Sequence, residues 1–204
     1  MAVSGHELEV KFLLSDPSAL QARLSALGAS LAKPRVHEVN LRFDTPDGAL
    51  LRSMQVLRLR QDHQAWLTYK GPSESEGGVR KRREIEFSVG DFQAAQALLE
   101  SLGYQVLVMY EKYRTSFAWQ GAHILLDEMP YGNFAEIEGP NPDLIRSLSD
   151  HLGLNWEKRV LDSYTTLFEK LRGPYAFSFR DLSFANFTGL AVDLASLGIG
   201  PADH

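Results

Sequence analysis

Charged and apolar side chains alternate with a two-residue period in many stretches of this chain. In residues 7–12, the charged side chains Glu7, Glu9 and Lys11 are separated by single apolar residues. Because the side chains of a strand point alternately to its two faces, these three would share one face. The pattern therefore predicts a strand with one wholly ionic face and one apolar face.

Further stretches of this kind predict the other strands. They span residues 36–43, 54–60, 65–70, 79–87, 106–117, 123–128 and 133–138. About eight strands with few helices, joined mostly by short turns, indicate an antiparallel sheet of the α+β class. Eight strands are enough to close a barrel.

Helices are predicted where leucines recur with helical spacing between a capping side chain and a glycine. The first begins at Ser15-Asp16-Pro17 and ends at Gly28, and the others span residues 91–102, the stretch from Asn141 to Gly153, and residues 163–171. Residues 71–78 are rich in glycine, serine and glutamate, which predicts a flexible loop between two strands.

Composition narrows the class of protein. The 204 residues fit one domain, or one domain with an appendage, and 44% of them are hydrophobic. A formal net charge of −5 argues against a protein that coats nucleic acid or an anionic membrane. The chain has no cysteine, which excludes disulfides and thiolate metal sites, and it has no signal-peptide or membrane-span pattern. We expect a cytoplasmic protein that binds neither nucleic acid nor membrane.

The ionic faces of the predicted strands carry both acids and bases. The acids are Glu7, Glu9, Glu84, Glu86, Asp127, Glu136 and Glu138. The bases are Lys11, Arg58, Arg60, Lys70, Arg80, Arg82, Lys112 and Arg114. Inside one barrel, such a set would have to be wet and hold ions of its own, because burying unpaired charges costs several kcal/mol each.

Two interpretations follow from these residues alone. Carboxylates bind Mg²⁺ or Mn²⁺, and guanidinium and ammonium groups bind phosphates, so the set indicates a metal–polyphosphate site. The alternative is a solvated sheet face with surface ion pairs, each of which contributes little to stability. The pattern by itself leaves both open.

The stretch Glu7-Leu8-Glu9-Val10-Lys11 resembles the Glu-x-Glu-x-Lys signature of the CYTH family, the triphosphate tunnel metalloenzymes. That family includes class IV adenylyl cyclases, thiamine triphosphatases and inorganic triphosphatases. Segments similar to the family follow in order at residues 43–47, 57–60, 68–72, 82–86, 111–114 and 132–138, so the resemblance covers about residues 5–171.

The resemblance implies a fold and a division of the chain. It implies a closed eight-stranded antiparallel β-barrel of the α+β class, a tunnel for a linear triphosphate, with helices packed outside. Residues 1–172 would form this tunnel domain, and residues 173–204 an aromatic-rich C-terminal extension. Four phenylalanines in the extension predict that it docks on the barrel or on a partner, and the sequence leaves both open.

The resemblance also implies roles for individual residues. The metal ligands would be Glu7, Glu9, Asp127, Glu136 and Glu138, holding Mg²⁺ or Mn²⁺. The triphosphate-binding residues would be Lys11, Arg58, Arg60, Lys70, Arg82, Lys112 and Arg114, with Glu84 as a further wall residue. The catalytic residues would be Lys11, Glu136 and Glu138.

Two positions depart from the family pattern. Arg42 occupies a position at which members often have tyrosine, and Asp162 one at which a basic residue often precedes Ser163-Tyr164. We expect Lys158 or Arg159 to substitute for the latter.

The leading function implied is divalent-metal-dependent hydrolysis of tripolyphosphate, thiamine triphosphate or a nucleoside triphosphate. The alternatives are a class IV adenylyl cyclase that converts ATP to cyclic AMP and pyrophosphate, and a non-catalytic polyphosphate or nucleotide sensor. The expected partner is a small-molecule triphosphate, and the sequence leaves open whether the protein is a monomer or a homodimer.

Overall fold

A computed structural model describes residues 3–203, and within that range the chain forms nine strands and five α-helices. The strands are β1 Val3–Leu14, β2 Ser30–Asp44, β3 Val56–Gln61, β4 Ala65–Glu76, β5 Val79–Val89, β6 Gln105–Trp119, β7 Ala122–Met129, β8 Gly132–Glu138 and β9 Arg159–Val160. The helices are α1 Pro17–Ala26, α2 Ala49–Arg52, α3 Phe92–Ser101, α4 Pro142–His151 and α5 Tyr164–Tyr175.

Strands β1 to β8 form a closed antiparallel barrel, which confirms the predicted fold class. Around the barrel the strand order is β5-β4-β3-β2-β6-β7-β8-β1, and pairing of β5 with β1 closes the sheet. The two-residue strand β9, which the sequence pattern did not predict, pairs with β1 at Lys11 and Phe12. Closure pairs both edges of the sheet, so β1 to β8 form a continuous wall.

The register of the strands brings the ionic rows to the inside of the barrel. Glu9 lies opposite Glu138 and Lys11 opposite Glu136 across β1 and β8. Glu7 lies opposite Arg82 across β1 and β5. Glu9, Lys11, Arg82 and Glu136 are buried, so the solvated-face interpretation is wrong for them.

The apolar faces of the same strands point outward and are covered by helices. Val10 and Phe12 of β1 pack in one cluster with Leu24 of α1 and with Ile145 and Leu148 of α4, and all five are fully or almost fully buried. Burying each such side chain stabilises the fold by about 1.5–3 kcal/mol. On another side of the barrel, the side chain of Leu99 brings α3 against Phe43 and Leu59.

The predicted helix starts are confirmed, and so are the ends of α1, α3 and α4, whereas α5 continues beyond its predicted end at residue 171 to Tyr175. The side chains of Asp16, Asp91, Asn141 and Ser163 each accept a hydrogen bond from a backbone N–H in the first turn of α1, α3, α4 and α5. After α1, Gly28 adopts a φ of 78°, a left-handed conformation that glycine accommodates without strain. The structure adds a short helix, α2, whose Leu50 and Leu51 N–H groups donate to the carboxylate of Asp44.

The flexible loop predicted over residues 71–78 is wrong. Strand β4 continues to Glu76 and pairs with β5, so only Gly77 and Gly78 form the turn, with φ values of 58° and 80°. Its composition is typical of a loop, and Pro72 cannot donate a hydrogen bond to a neighbouring strand. The strand nevertheless continues, because its register with β5 shifts between Lys70 and Ser73 and pairing then resumes.

The aromatic-rich segment after α5 docks on the barrel of its own chain. Phe177 and Phe179 stack on Phe168 of α5. Leu182 exchanges backbone hydrogen bonds with Met109 and Glu111, where β6 has a free edge. The division at residues 172 and 173 stays a prediction, and α5 runs across it. No helix among residues 3–203 is long and apolar enough to cross a membrane.

Candidate active site

The barrel encloses a cavity of about 730 Å³ to which all eight barrel strands contribute side chains. Ten lysines and arginines line it, against seven glutamates, although the chain as a whole has a formal net charge of −5. The interior therefore has a local excess of positive charge. Such a cavity favours an anionic ligand.

The predicted triphosphate-binding residues come together in this cavity. Lys11, Arg58, Arg60, Lys70, Arg82, Lys112 and Arg114 all line it. The predicted acids Glu7, Glu9, Glu136 and Glu138 line it as well, and so do Arg80, Glu84 and Glu86. Acids and bases share the wall because each strand presents every second side chain inward, and those positions are charged.

Three of the predicted metal ligands form one cluster. Carboxylate oxygens of Glu7, Glu9 and Glu138 lie within 4.8 Å of one another. Among the described residues, the side chain of Glu138 has no hydrogen bond or ion pair, and burial with the negative charge of Glu7 raises its pKa to about 8. An unpaired carboxylate beside two others is a suitable ligand set for a hard divalent cation, which takes oxygen ligands and keeps waters.

The other two members of this cluster are each paired with a lysine, Glu7 with Lys70 and Glu9 with Lys11. Glu7 accepts from Lys70 at 2.6 Å, and this ammonium outweighs the effect of burial and lowers the pKa of Glu7 to about 2. Burial raises the pKa of Glu84, on the other side of Lys70, to about 7. Lys70 Nζ lies 3.2 Å from Glu84. Lys70 thus bridges one ionised and one partly protonated carboxyl group at neutral pH.

Lys11 lies between two carboxylates. Its Nζ is 2.7 Å from Glu9 and 2.9 Å from Glu136. Burial alone would lower the pKa of Lys11, but Glu136 and Glu9 raise it above the ordinary value. Glu136 also accepts from Arg114, and its pKa is lowered because these cations outweigh burial. Lys11 is therefore held as an ammonium group between these two carboxylates.

Asp127, the fifth predicted metal ligand, lies behind the cavity wall and does not line the cavity. It accepts from Lys112 at 3.0 Å and from Arg114 at 2.6 Å. The hydroxyl of Tyr164 donates to it at 2.8 Å. In this arrangement its oxygens hold two bases and a tyrosine in position, and its role as a metal ligand stays a prediction.

Sequence reasoning did not assign Glu38, Arg42 or Tyr110 to the wall, although all three line the cavity. Glu38 lies 3.3 Å from Arg60, and Tyr110 accepts from Arg58 at 3.5 Å. The positive charges of Lys112, Arg114 and Arg60 outweigh burial and lower the pKa of Glu38 to about 2. The signal was present, because Glu38 and Arg42 occur at the two-residue period of β2.

The expected substitutes for a basic residue at position 162 do not reach the cavity. Lys158 donates to the backbone oxygen of Pro201, and Arg159 to that of Gly78. Asp162 itself pairs with Lys170.

Comparisons with known proteins agree with this geometry. The CYTH domain family model matches residues 5–144. Adenylate cyclase CyaB of Aeromonas hydrophila is 29% identical over 178 residues, covering 80% of this chain and 89% of that protein.

Two solved structures share the fold. A candidate adenylate cyclase of Vibrio parahaemolyticus matches with a TM-score of 0.74 and 22% identity, over 82% of this chain and 99% of that one. The Hippeastrum protein HpAC1, described as having a dominant triphosphatase activity, matches with a TM-score of 0.62 and 24% identity, over 80% and 95% of the two chains. At these identities the likeness concerns the fold alone.

Proposed function

This chain belongs to the CYTH domain family, and we propose that it hydrolyses a triphosphate in its barrel with the help of a divalent metal. The substrate would be tripolyphosphate, thiamine triphosphate or a nucleoside triphosphate. The observation that carries this proposal is the juxtaposition of ten bases with a three-carboxylate cluster in one enclosed cavity. The bases attract polyanions, and the cluster supplies ligands for a cation.

Glu7, Glu9 and Glu138 would hold Mg²⁺ or Mn²⁺. A cation bound there would neutralise phosphate charge and help orient the scissile bond for in-line attack. Glu138 contributes most because no base neutralises it. Glu136 and Asp127 stay proposed ligands, and their present contacts with Lys11 and Arg114 support a second role, the positioning of phosphate-binding groups.

The bases would bind phosphate oxygens through donors that the carboxylates leave free. A guanidinium has five N–H donors and an ammonium three, so Arg58 and Lys11 can keep their carboxylate contacts while donating to a ligand. Those contacts also fix the side chains before substrate binds, so little reorganisation is needed when charge develops on the leaving group. Lys11, being protonated, would act as a positive charge and not remove a proton from water.

Adenylyl cyclase activity is the second candidate, because the curated relative is an adenylate cyclase. The dominant triphosphatase activity named for the Hippeastrum protein supports hydrolysis as the first. The carboxylate cluster argues against a metal-free sensor, for which Glu138 would be a half-buried acid without a role. A cytoplasmic location, a lack of nucleic-acid and membrane partners, and the choice between monomer and homodimer stay predictions.

The test is incubation of the purified protein with tripolyphosphate, thiamine triphosphate and ATP, each with Mg²⁺, with Mn²⁺ and with a chelator. Hydrolysis releases orthophosphate and leaves the diphosphate, whereas cyclisation of ATP yields cyclic AMP and pyrophosphate. We expect metal-dependent orthophosphate release from at least one substrate. Cyclic AMP as the main product would favour the second candidate, and binding without turnover under every metal condition would favour the sensor.

A further inference from the structure

Most bases of the cavity are neutralised by a neighbouring carboxylate. Those with a carboxylate oxygen within 3.5 Å are Lys11, Arg58, Arg60, Lys70, Arg80, Lys112 and Arg114. Lys33 is exposed at the cavity mouth. Two bases remain, Arg42 and Arg82, and neither has a carboxylate oxygen within 4.0 Å among the residues that the structure describes.

The two unpaired arginines have different surroundings. Arg82 donates twice to the backbone oxygen of Gly71, at 3.2 and 2.9 Å. Arg42, which is half-buried, donates to the hydroxyl of Thr165 in the first turn of α5. The acid nearest along its strand is Asp44, whose carboxylate accepts from the backbone N–H groups of Thr45, Leu50 and Leu51. Within residues 3–203, the guanidinium of Arg42 therefore has no carboxylate in contact.

Other polar atoms beside Arg42 also have no partner in the protein. Asn40 lies two residues earlier on the same face of β2, is fully buried, and makes no hydrogen bond through either amide atom. Arg58, directly opposite Arg42 across β2 and β3, has an unpaired Nε. Buried polar groups are almost always satisfied by protein, water or ligand. An unpaired cation next to unpaired polar groups marks a place for an anion and its hydration.

Arg42 also has a defined place along the cavity. The metal cluster involves Glu7 and Glu9 of β1, whereas the ring of Tyr164 at the start of α5 lies 5.5 Å from Nζ of Lys11, further along the same strand. Thr165, which Arg42 contacts, follows Tyr164 and lines the cavity. Arg42 thus belongs to the part of the cavity beside the start of α5, which we call the α5 end.

We infer that Arg42 is a substrate-binding residue that takes the phosphate group at the α5 end of the cavity. This inference rests on the proposed function, since it assigns one phosphate of the same triphosphate. Burial, together with the nearby charges of Arg80 and Arg58, lowers the pKa of Arg42 despite the opposing effects of Tyr110 and Asp44. A phosphate group would supply the negative charge that no carboxylate provides, and two of its oxygens could accept parallel hydrogen bonds from Arg42.

The test measures tripolyphosphate binding by calorimetry for the wild type and the variants Arg42→Ala, Arg42→Lys and Arg83→Ala. Arg83 is the control because it lies on β5 next to Arg82 but is exposed. Loss of a charge-assisted bidentate contact should weaken binding about 10- to 100-fold in Arg42→Ala. Arg42→Lys should recover part of it, because a lysine keeps the charge without the fork geometry. Arg83→Ala should bind as the wild type does.

Pyrophosphate in the same titrations locates the contact. A shorter anion can occupy the other bases and leave the α5 end empty, so Arg42→Ala should weaken pyrophosphate binding less than tripolyphosphate binding. Equal losses would overturn the placement at the α5 end. Arg42→Ala binding tripolyphosphate within twofold of the wild type would overturn the inference and leave the proposed function standing. A wild type that binds neither tripolyphosphate, ATP nor thiamine triphosphate would overturn the proposed function itself.

The melting temperature of the ligand-free variants distinguishes a structural role of Arg42 from a role in binding. Removing an unpaired, partly dehydrated charge should leave the melting temperature unchanged or raise it. If Arg42→Ala instead melts well below the wild type, Arg42→Gln, which keeps a hydrogen bond to Thr165, replaces it in the titrations. Full tripolyphosphate affinity in a folded Arg42→Gln would then overturn the inference.

Discussion

The two faces of strand β1 are both buried, but they are stabilised in different ways. On the outer face, Val10 and Phe12 are 1% and 0% exposed and pack in an apolar cluster that includes side chains of the barrel, helices α1 and α4, and Trp156. On the inner face, Glu9 and Lys11 are 5% and 3% exposed and contact other charges. The outer face gains free energy from burial itself, whereas the inner face has to recover the cost of dehydrating ions.

This difference shows that the residues that stabilise the fold and the residues that line the cavity lie on opposite faces of the same strands, and not in separate segments of the chain. Each of the eight barrel strands takes part in both, since alternate residues contribute to the core and to the cavity. Substitutions on the outer face should therefore change stability, and substitution of an inner-face side chain without an ion-pair partner should change ligand binding with little cost to stability.

Phe12→Ala should be the most destabilising of the changes considered. Phe12 is fully buried between the barrel and Trp156, with ring centroids 6.3 Å apart, so its loss leaves a cavity. We expect the free energy of unfolding to fall by about 3–5 kcal/mol in denaturant titrations. Phe87→Ala is the matched control, because Phe87 is 39% exposed on β5 and should cost far less. Equal losses in the two variants would break the comparison.

Glu138→Gln should lower turnover and leave stability unchanged, the reverse of the effect expected for Phe12→Ala. Glutamine keeps the size of the side chain and resembles the protonated acid, so the free energy of unfolding should not fall. Losing one carboxylate from the Glu7, Glu9 and Glu138 cluster should lower turnover at limiting Mg²⁺ or Mn²⁺ about 100-fold, with partial recovery at high metal concentration. The measurement is phosphate release across a metal titration.

The control for Glu138→Gln is Glu74→Gln, which removes the same charge from an exposed position on β4. It should change neither turnover nor stability. Wild-type turnover of Glu138→Gln at limiting metal would show that Glu138 is not a ligand, and a collapsed thermal transition would show that the inner face also holds the fold together.

Much of this separation could be predicted from the sequence because a two-residue period assigns faces without knowledge of the fold. It identified Glu7, Glu9 and Lys11 correctly as neighbours on one face, and the same period would have found Glu38. It could not show that Asp127 lies behind the wall, since this depends on Tyr164 reaching across from α5, 37 residues away in sequence. It also could not show which charges neutralise each other, because pairing depends on how eight strands are aligned.

The charge state of Glu138 makes metal binding dependent on pH. Burial raises its pKa to about 8, so without metal this acid is mostly protonated at pH 7. A raised acid pKa favours the folded protein at low pH and loses that contribution as the pH rises toward 8. A metal needs the ionised form, so its affinity should rise up to about tenfold from pH 6 to pH 7 and level off above pH 8.

Calorimetric Mg²⁺ titrations at several pH values check this dependence, with Glu138→Gln as the control. That variant should bind more weakly and lose most of the dependence above pH 6. A wild-type affinity that is constant from pH 6 to pH 8 would contradict the assignment of an unpaired, protonated acid to the cluster.

The smallest effect is expected for the C-terminal segment, which follows α5 and packs on the outside of the barrel. The carboxylate of Asp203 accepts from the backbone N–H groups of Ser15 and Asp16, where α1 begins, at 3.0 and 2.8 Å. Asp203→Ala should lower the free energy of unfolding by about 1–2 kcal/mol, as loss of a helix-start contact does elsewhere, and leave tripolyphosphate affinity unchanged. Asp150→Ala, at an exposed position on α4, should change stability by less than about 0.5 kcal/mol. A loss of tripolyphosphate affinity in Asp203→Ala, with the fold intact, would show that the segment influences the cavity and that the two faces are coupled.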